Sequence, residues 1–209
     1  FEPSAWRAAH GLARAREVIG YLGFVNQSKG VGDLVEGLGA LVDGGRDTYL
    51  VMIGEQLGTS DVTNRAYRDE IRHQIVQRGL QDRIVWTGHL QLAEIAAWLR
   101  SVDLVALPFV DGASLRRTSL IAAWGNGAPV VTTLPHESAA WLGDLAPAIF
   151  VRPGDSTALA TAMEDMLEHA DRRTALRDGG LCMAKRFAWP AVTRDTVAVY
   201  AASIERARR

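Results

Sequence analysis

Short, almost wholly apolar runs alternate along this chain with longer stretches in which apolar residues recur every three to four positions. Val18 to Phe24, Tyr49 to Ile53, Arg83 to Trp86, Leu104 to Leu107, Pro129 to Thr132 and Ala148 to Val151 are the short runs. Their near-continuous apolar character is that of parallel strands covered on both faces. Between them, Val31, Leu34, Val35, Leu38, Leu41 and Val42 mark one helical face, and Ile71, Ile75 and Val76 a second. Leu92, Ile95, Ala96 and Leu99 mark a third, followed by a helix from Ser119 to Trp124. Such regular alternation implies right-handed crossovers, and so an α/β fold: a doubly wound, Rossmann-like parallel sheet of about six strands with C-terminal helices. Beyond Arg152-Pro153-Gly154-Asp155 the pattern turns helical, with Ser156 placed as an N-cap for Leu159, Ala160, Met163, Met166 and Leu167. Two more helices are expected, about Arg172 to Phe187 and Ala191 to Arg206. No linker-like or repeated segment interrupts residues 1–209, which read as one domain with a helical tail from about residue 156.

Bulk properties narrow the function. A chain of 209 residues, 48% hydrophobic and 22% charged, is ordinary for a globular domain. A net charge of −1 argues against a nucleic-acid surface built on bulk charge. The single cysteine, Cys182, has no partner for an internal disulfide, fits a reducing, cytoplasmic setting, and reads as a small core residue. No apolar run approaches the ~20 residues of a membrane span, so at most peripheral membrane contact is expected. The chain opens on Phe1 rather than Met, as a processed product or a fragment would.

Doubly wound sheets bind ligands beyond the carboxyl ends of their strands, and three loops fall there. The first is Gly23-Phe24-Val25-Asn26-Gln27-Ser28-Lys29-Gly30, in which Lys29 is either a phosphate ligand or a plain surface lysine. The second, Thr87-Gly88-His89-Leu90, offers a glycine for close backbone approach and His89 as a candidate base, with no paired acid nearby in sequence. The third contains Ser114-Leu115-Arg116-Arg117-Thr118-Ser119 at an expected helix start. A helix N-terminus carries about half a positive charge, which disfavours two cations unless an anion joins them. The backbone N–H groups of Thr118 and Ser119 with the two guanidiniums make a receptor for a phosphate or diphosphate. Alternatively, both arginines point into water or meet a surface carboxylate. Between Gly112 and His136 the sequence has no Asp or Glu. There is also no P-loop, no Gly-x-Gly-x-x-Gly after the first strand, no zinc-type histidine pair and no acidic metal site.

An ordered succession of short motifs then carries a resemblance. Gly23 to Gly30 with Lys29, Val51-Met52-Ile53-Gly54, Asp82 to Gly88, Asp103 to Pro108, Gly127 to Thr133, and the ending from Phe187-Ala188-Trp189 to Val199-Tyr200 are similar to the C-terminal, donor-binding half of a GT-B glycosyltransferase of family 4. The resemblance runs from about Ile19 to Ile204.

It implies a retaining hexosyl transfer from a nucleotide-diphosphate sugar, UDP- or GDP-type, with no other cofactor and no metal. Lys29 matches the family's phosphate-holding lysine, Thr118 and Ser119 its helix start, and Gly88, His89 and Leu90 its base-contacting loop. Gly23, Asn26, Ser114 and Leu115 complete the expected donor site, and Lys29, Arg116 and Arg117 are expected to stabilise the leaving group. The sequence departs from the family pattern in three places. Phe24 stands where an arginine is common, and the two glutamates that meet sugar and ribose fall at Ser114 and Ala122. Asp111 or Glu137 is the expected substitute carboxylate. The N-terminal acceptor domain of such enzymes is absent, so the acceptor is unknown and the fragment is expected to be inactive alone. The C-terminal helices then lack the N-terminal domain partner they normally brace, and leave a patch near Trp189 and Tyr200 exposed or buried in a homo-oligomer. The competing readings are a non-catalytic nucleotide-sugar or phosphate-binding module of a complex, and a sugar-nucleotide epimerase, which the acid-poor stretch from Gly112 to His136 disfavours.

Overall fold

Strands form where the apolar runs predict them. In a computed structural model that describes residues 1–56, 63–136, 141 and 147–207, six parallel strands lie in one sheet. They are β1 (Glu17–Leu22), β2 (Thr48–Ile53), β3 (Ile84–Trp86), β4 (Leu104–Leu107), β5 (Val130–Thr133) and β6 (Ile149–Val151). The order is β3-β2-β1-β4-β5-β6. The central strands β4 and β5 are buried throughout, while the three-residue edge strands β3 and β6 are only part-buried. Short edges present few unpaired amides to another chain.

The helices are α1 (Pro3–Ala9), α2 (Val31–Asp43), α3 (Thr63–Gln77), α4 (Leu92–Ser101), α5 (Thr118–Gly125), α6 (Ser156–Glu168), α7 (Ala170–Ala184) and α8 (Trp189–Ala207). Right-handed crossovers running outward from β1 through β2 to β3 put α2 and α3 on one face, and the reversed direction of the later strands puts α4 and α5 on the other. The packing agrees: α2 meets α3 and α6, α4 meets α1, and α5 meets α7. The reversal between β1 and β4 is the switch point at which such sheets open a ligand crevice.

Several local expectations are corrected. β1 stops at Leu22, because Gly23 turns to φ +143° and leaves Phe24 exposed. Val76 and Leu92 lie outside the core, 57% and 86% exposed, so the buried stripes of α3 and α4 are narrower than their apolar spacing. The cysteine expected in the core, Cys182, is exposed on α7. α1 was not foreseen; Pro3 opens it and the Glu2 carboxylate caps it by accepting from Ser4 N–H.

The N-cap of α6 is Asp155, not Ser156, because the longer carboxylate reaches the Ala158 amide at 2.8 Å. Asp155 also faces Asp33 of α2, whose carboxyl is pushed above its ordinary value, first by burial and then by the Asp155 charge. Asn caps as well as Asp but carries no charge. Asp155→Ala is therefore expected to cost about 1 kcal/mol of stability at neutral pH. Asp155→Asn should cost nothing, and a denaturant titration that ranks the two equally would refute the cap.

Candidate functional site

The loop after β1 and the loop after β4 are drawn together at the switch point. Gly30 begins α2 at φ +66°, and a Cβ there would sit inside the Pro108 carbonyl oxygen. Only glycine satisfies both conditions. Val110 N–H donates to Ser28 C=O at 3.1 Å and ties the same two loops. Between them lies the ring of Phe109, fully buried. Lys29 Nζ stands 5.1 Å from its centroid and the Arg117 guanidinium carbon 4.7 Å. Two cations on one ring gain cation–π attraction of roughly 0.5 to 2 kcal/mol each and lose by mutual repulsion. Burial, and then the Arg117 charge, holds the Lys29 ammonium below its ordinary pKa, with Asp111 opposing. Arg117 is paired with Asp111, the carboxylate just outside the acid-poor stretch. This is the alternative that the sequence left open for the arginines, and it holds for Arg117.

Beside this cradle, α5 begins with Arg117 at its N-cap and no side chain bonded to its first amides. Thr118 and Ser119 occupy the positions whose N–H groups have no intrahelical acceptor. Ser119 is 7% exposed, and its Oγ has no hydrogen-bond partner among the described residues. The start of α2 differs, since Gly32 N–H there donates to the Tyr67 hydroxyl at 3.2 Å. The Thr118 and Ser119 amides at the start of α5 have no such side-chain partner among the described residues and are open to an added anion.

Toward β2 and β3 the edge is apolar. Leu22, Gly23 and Phe24 after β1, Ile53 and Gly54 after β2, and Leu90 with Ile95 enclose a cleft of about 300 Å³. Its rim carries Glu55 and His89, joined at 3.1 Å from Glu55 Oε1 to His89 Nδ1. Gly88 turns the chain at φ +68° and so brings His89 and Leu90 to the cleft. Thr87 Oγ1 accepts from Gly54 N–H at 2.9 Å and donates to Met52 C=O at 3.2 Å, fixing the floor. The Tyr21 hydroxyl donates to Phe24 C=O at 2.8 Å, and burial keeps that phenol protonated far above its ordinary pKa.

Toward β5 a second cavity, about 350 Å³, lies between the loop of Asp111, Ser114, Leu115 and Arg116 and the residues Pro135, His136 and Trp141. Arg116, exposed, lines this cavity rather than the Phe109 ring. Consecutive residues at a helix start project in different directions, so the two arginines belong to different neighbourhoods. In the first loop, Asn26 Oδ1 accepts from Ser28 Oγ at 2.9 Å.

Lys29, Gly88 and Arg116 thus lie at three neighbouring stations along one sheet edge instead of around a single pocket. The sequence missed Phe109, an ordinary apolar residue after a strand, and the acid Glu55 beside His89. Asp111 was named only as a sugar contact. Glu137, the other substitute carboxylate, lies outside the described residues. Ala122, the second of the two glutamate positions, lies part-buried in α5. Among the described residues, no three His, Cys, Asp or Glu side chains converge on a metal site, and no helix is long and apolar enough to cross a membrane.

Residues 16–169 match the family described as Glycosyl transferases group 1, a span that contains every station of this edge. A 2-deoxystreptamine glucosyltransferase of Streptomyces kanamyceticus is 28% identical over 81% of this chain and 41% of its own length. The chain spans about half the length of the curated relatives it resembles. Among crystal structures, Anabaena HepE in complex with UDP and glucose superposes with a TM-score of 0.78 at 20% identity, over 96% of this chain and 52% of that one. The C-terminal domain of LpcC, a glycosyl transferase group 1 family protein from Francisella tularensis, gives 0.72 at 18% identity, over 88% of this chain and 91% of that one. The six-stranded fold is that of GT-B glycosyltransferases.

Proposed function

The chain belongs to the group 1 glycosyltransferases, and from that premise we propose that it is the donor-binding half of a retaining enzyme that takes a hexosyl group from a nucleotide-diphosphate sugar. One observation carries the reading. Along the sheet edge from β3 to β5 stand an apolar cleft, a cationic cradle with open helix amides, and a mixed polar cavity. That is the order of base, diphosphate and sugar in such a donor. The UDP and glucose held by HepE support the same donor class.

In this reading the base lies in the cleft against Leu90, between Gly23 and the backbone of Gly88 and His89. Lys29, Arg117 and the Thr118 and Ser119 amides hold the diphosphate, with Asn26 at the loop rim. As the glycosidic bond breaks, negative charge grows on the leaving diphosphate, and these fixed donors stabilise it without reorganising. Arg117 keeps Asp111 on Nη2 and has further N–H donors to offer the phosphate oxygens. The acceptor and the linkage are set outside these residues, and transfer requires that other part. The cytoplasm, where nucleotide sugars are made, is the proposed setting.

Calorimetric titration tests the reading: UDP or GDP should bind far more tightly than uridine or guanosine. The pH profile adds a sign. The protonated Lys29 is the binding form, and its pKa is lowered. Affinity should therefore fall as pH rises through that lowered value, at a pH where an ordinary lysine is still charged. Lys29→Ala should flatten the alkaline limb, and an unchanged limb would remove Lys29 from the phosphate site.

A further inference from the structure

The cavity toward β5 carries a charge pattern that a neutral hexose does not need. Asp111 is the one carboxylate among its described lining residues, and Arg117 holds it from the far side. Arg116, by contrast, has no carboxylate partner among the described residues, and His136 lines the same cavity. Ser114 and Trp141 supply a hydroxyl and an aromatic wall. A guanidinium that faces a cavity with its local acid already engaged is matched by a planar carboxylate, which it grips through two parallel hydrogen bonds.

We propose that the glycosyl group accepted here carries a carboxylate: the donor is a nucleotide-diphosphate uronic acid, with the uronate on Arg116 and His136. The inference rests on the donor reading above, which places the sugar one station beyond the diphosphate. In the donor complex the diphosphate engages Lys29 and Arg117, so the preference for a uronate over a neutral hexose falls on Arg116 and His136.

The test titrates the chain with UDP, UDP-glucose and UDP-glucuronic acid, and with GDP, GDP-mannose and GDP-mannuronic acid. In the series whose bare diphosphate binds, the uronate should exceed the neutral sugar by about tenfold, the factor of one charge-assisted contact. Arg116→Gln should erase that margin, Arg116→Lys should keep part of it, and the affinity for the bare diphosphate should move less than about twofold in both, on the same scale. Melting curves confirm that the exposed substitutions leave the fold intact, and His136→Gln repeats the test at a second lining residue. Equal affinity for uronate and neutral sugar in the unmodified chain overturns the proposal. So does a margin that survives Arg116→Gln, or an equal loss of bare diphosphate, which would make Arg116 a phosphate contact. If neither bare diphosphate binds, the failure appears before any sugar is compared, and the donor reading falls together with this one.

Discussion

Replacing Lys29 and Arg117 together with alanine is expected to lower nucleoside-diphosphate affinity about a hundredfold, since each charge-assisted contact is worth about 1.5 to 3 kcal/mol and 1.4 kcal/mol is tenfold. Each single replacement should cost roughly tenfold. The two will not add cleanly, because both cations share the Phe109 ring and Arg117 lowers the Lys29 pKa. Without Arg117, the remaining lysine holds its proton better and recovers part of the loss. Stability should respond differently. Arg117→Ala breaks an ion pair whose acid is 62% exposed, worth at most about 1 kcal/mol. Lys29→Ala removes a like-charge neighbour and should be close to neutral. Nucleoside binding should be unchanged in all three variants. If their affinities for the diphosphate equal that of the unmodified chain, the cradle does not hold phosphate.

The second large effect is structural. Gly30→Ala forces a non-glycine residue to φ +66° and drives its Cβ into the Pro108 carbonyl. The left-handed backbone costs about 1 to 2 kcal/mol and the forced separation of the two loops about 1 to 3 kcal/mol more. Gly45→Ala is the matched control: φ is +86° there, but nothing lies within 4 Å of the added carbon. The unfolding free energy from denaturant titration should fall by about 2 to 5 kcal/mol for Gly30→Ala and about 1 to 2 kcal/mol for Gly45→Ala. Equal losses would mean that the loops part without cost. Because Lys29 precedes Gly30, the first variant should also lose diphosphate affinity, and the control should not.

What the sequence made legible follows from how local each signal is. The strands could be read because β4 and β5 are buried on both faces and tolerate only apolar residues, and the crossover rule then placed the ligand edge. Lys29, His89 and the α5 start could be singled out because each lies in the segment that follows a strand's carboxyl end. Their partners could not, because each is a relation between distant segments. Glu55 meets His89 across two strand ends, and Phe109 serves Lys29 from another loop. The split of Arg116 from Arg117 depends on side-chain direction at a helix start, which spacing along the chain does not encode. The cap of α6 was misplaced by one residue because Asp155 and Ser156 are both good caps, and only the reach to Ala158 decides between them.

The stations of the edge have different owners. The apolar cleft hangs on β1, β2 and β3, the cradle on β1 and β4, and the polar cavity on the loops after β4 and β5. Among the described residues, none that lines the cleft also lines the cavity. On the proposed reading, a change at Ser114 or His136 retunes which sugar is taken while the grip on the nucleotide stays as it was. A scaffold divided in this way would exchange one proposed donor for another by small steps, each leaving a working binder behind it.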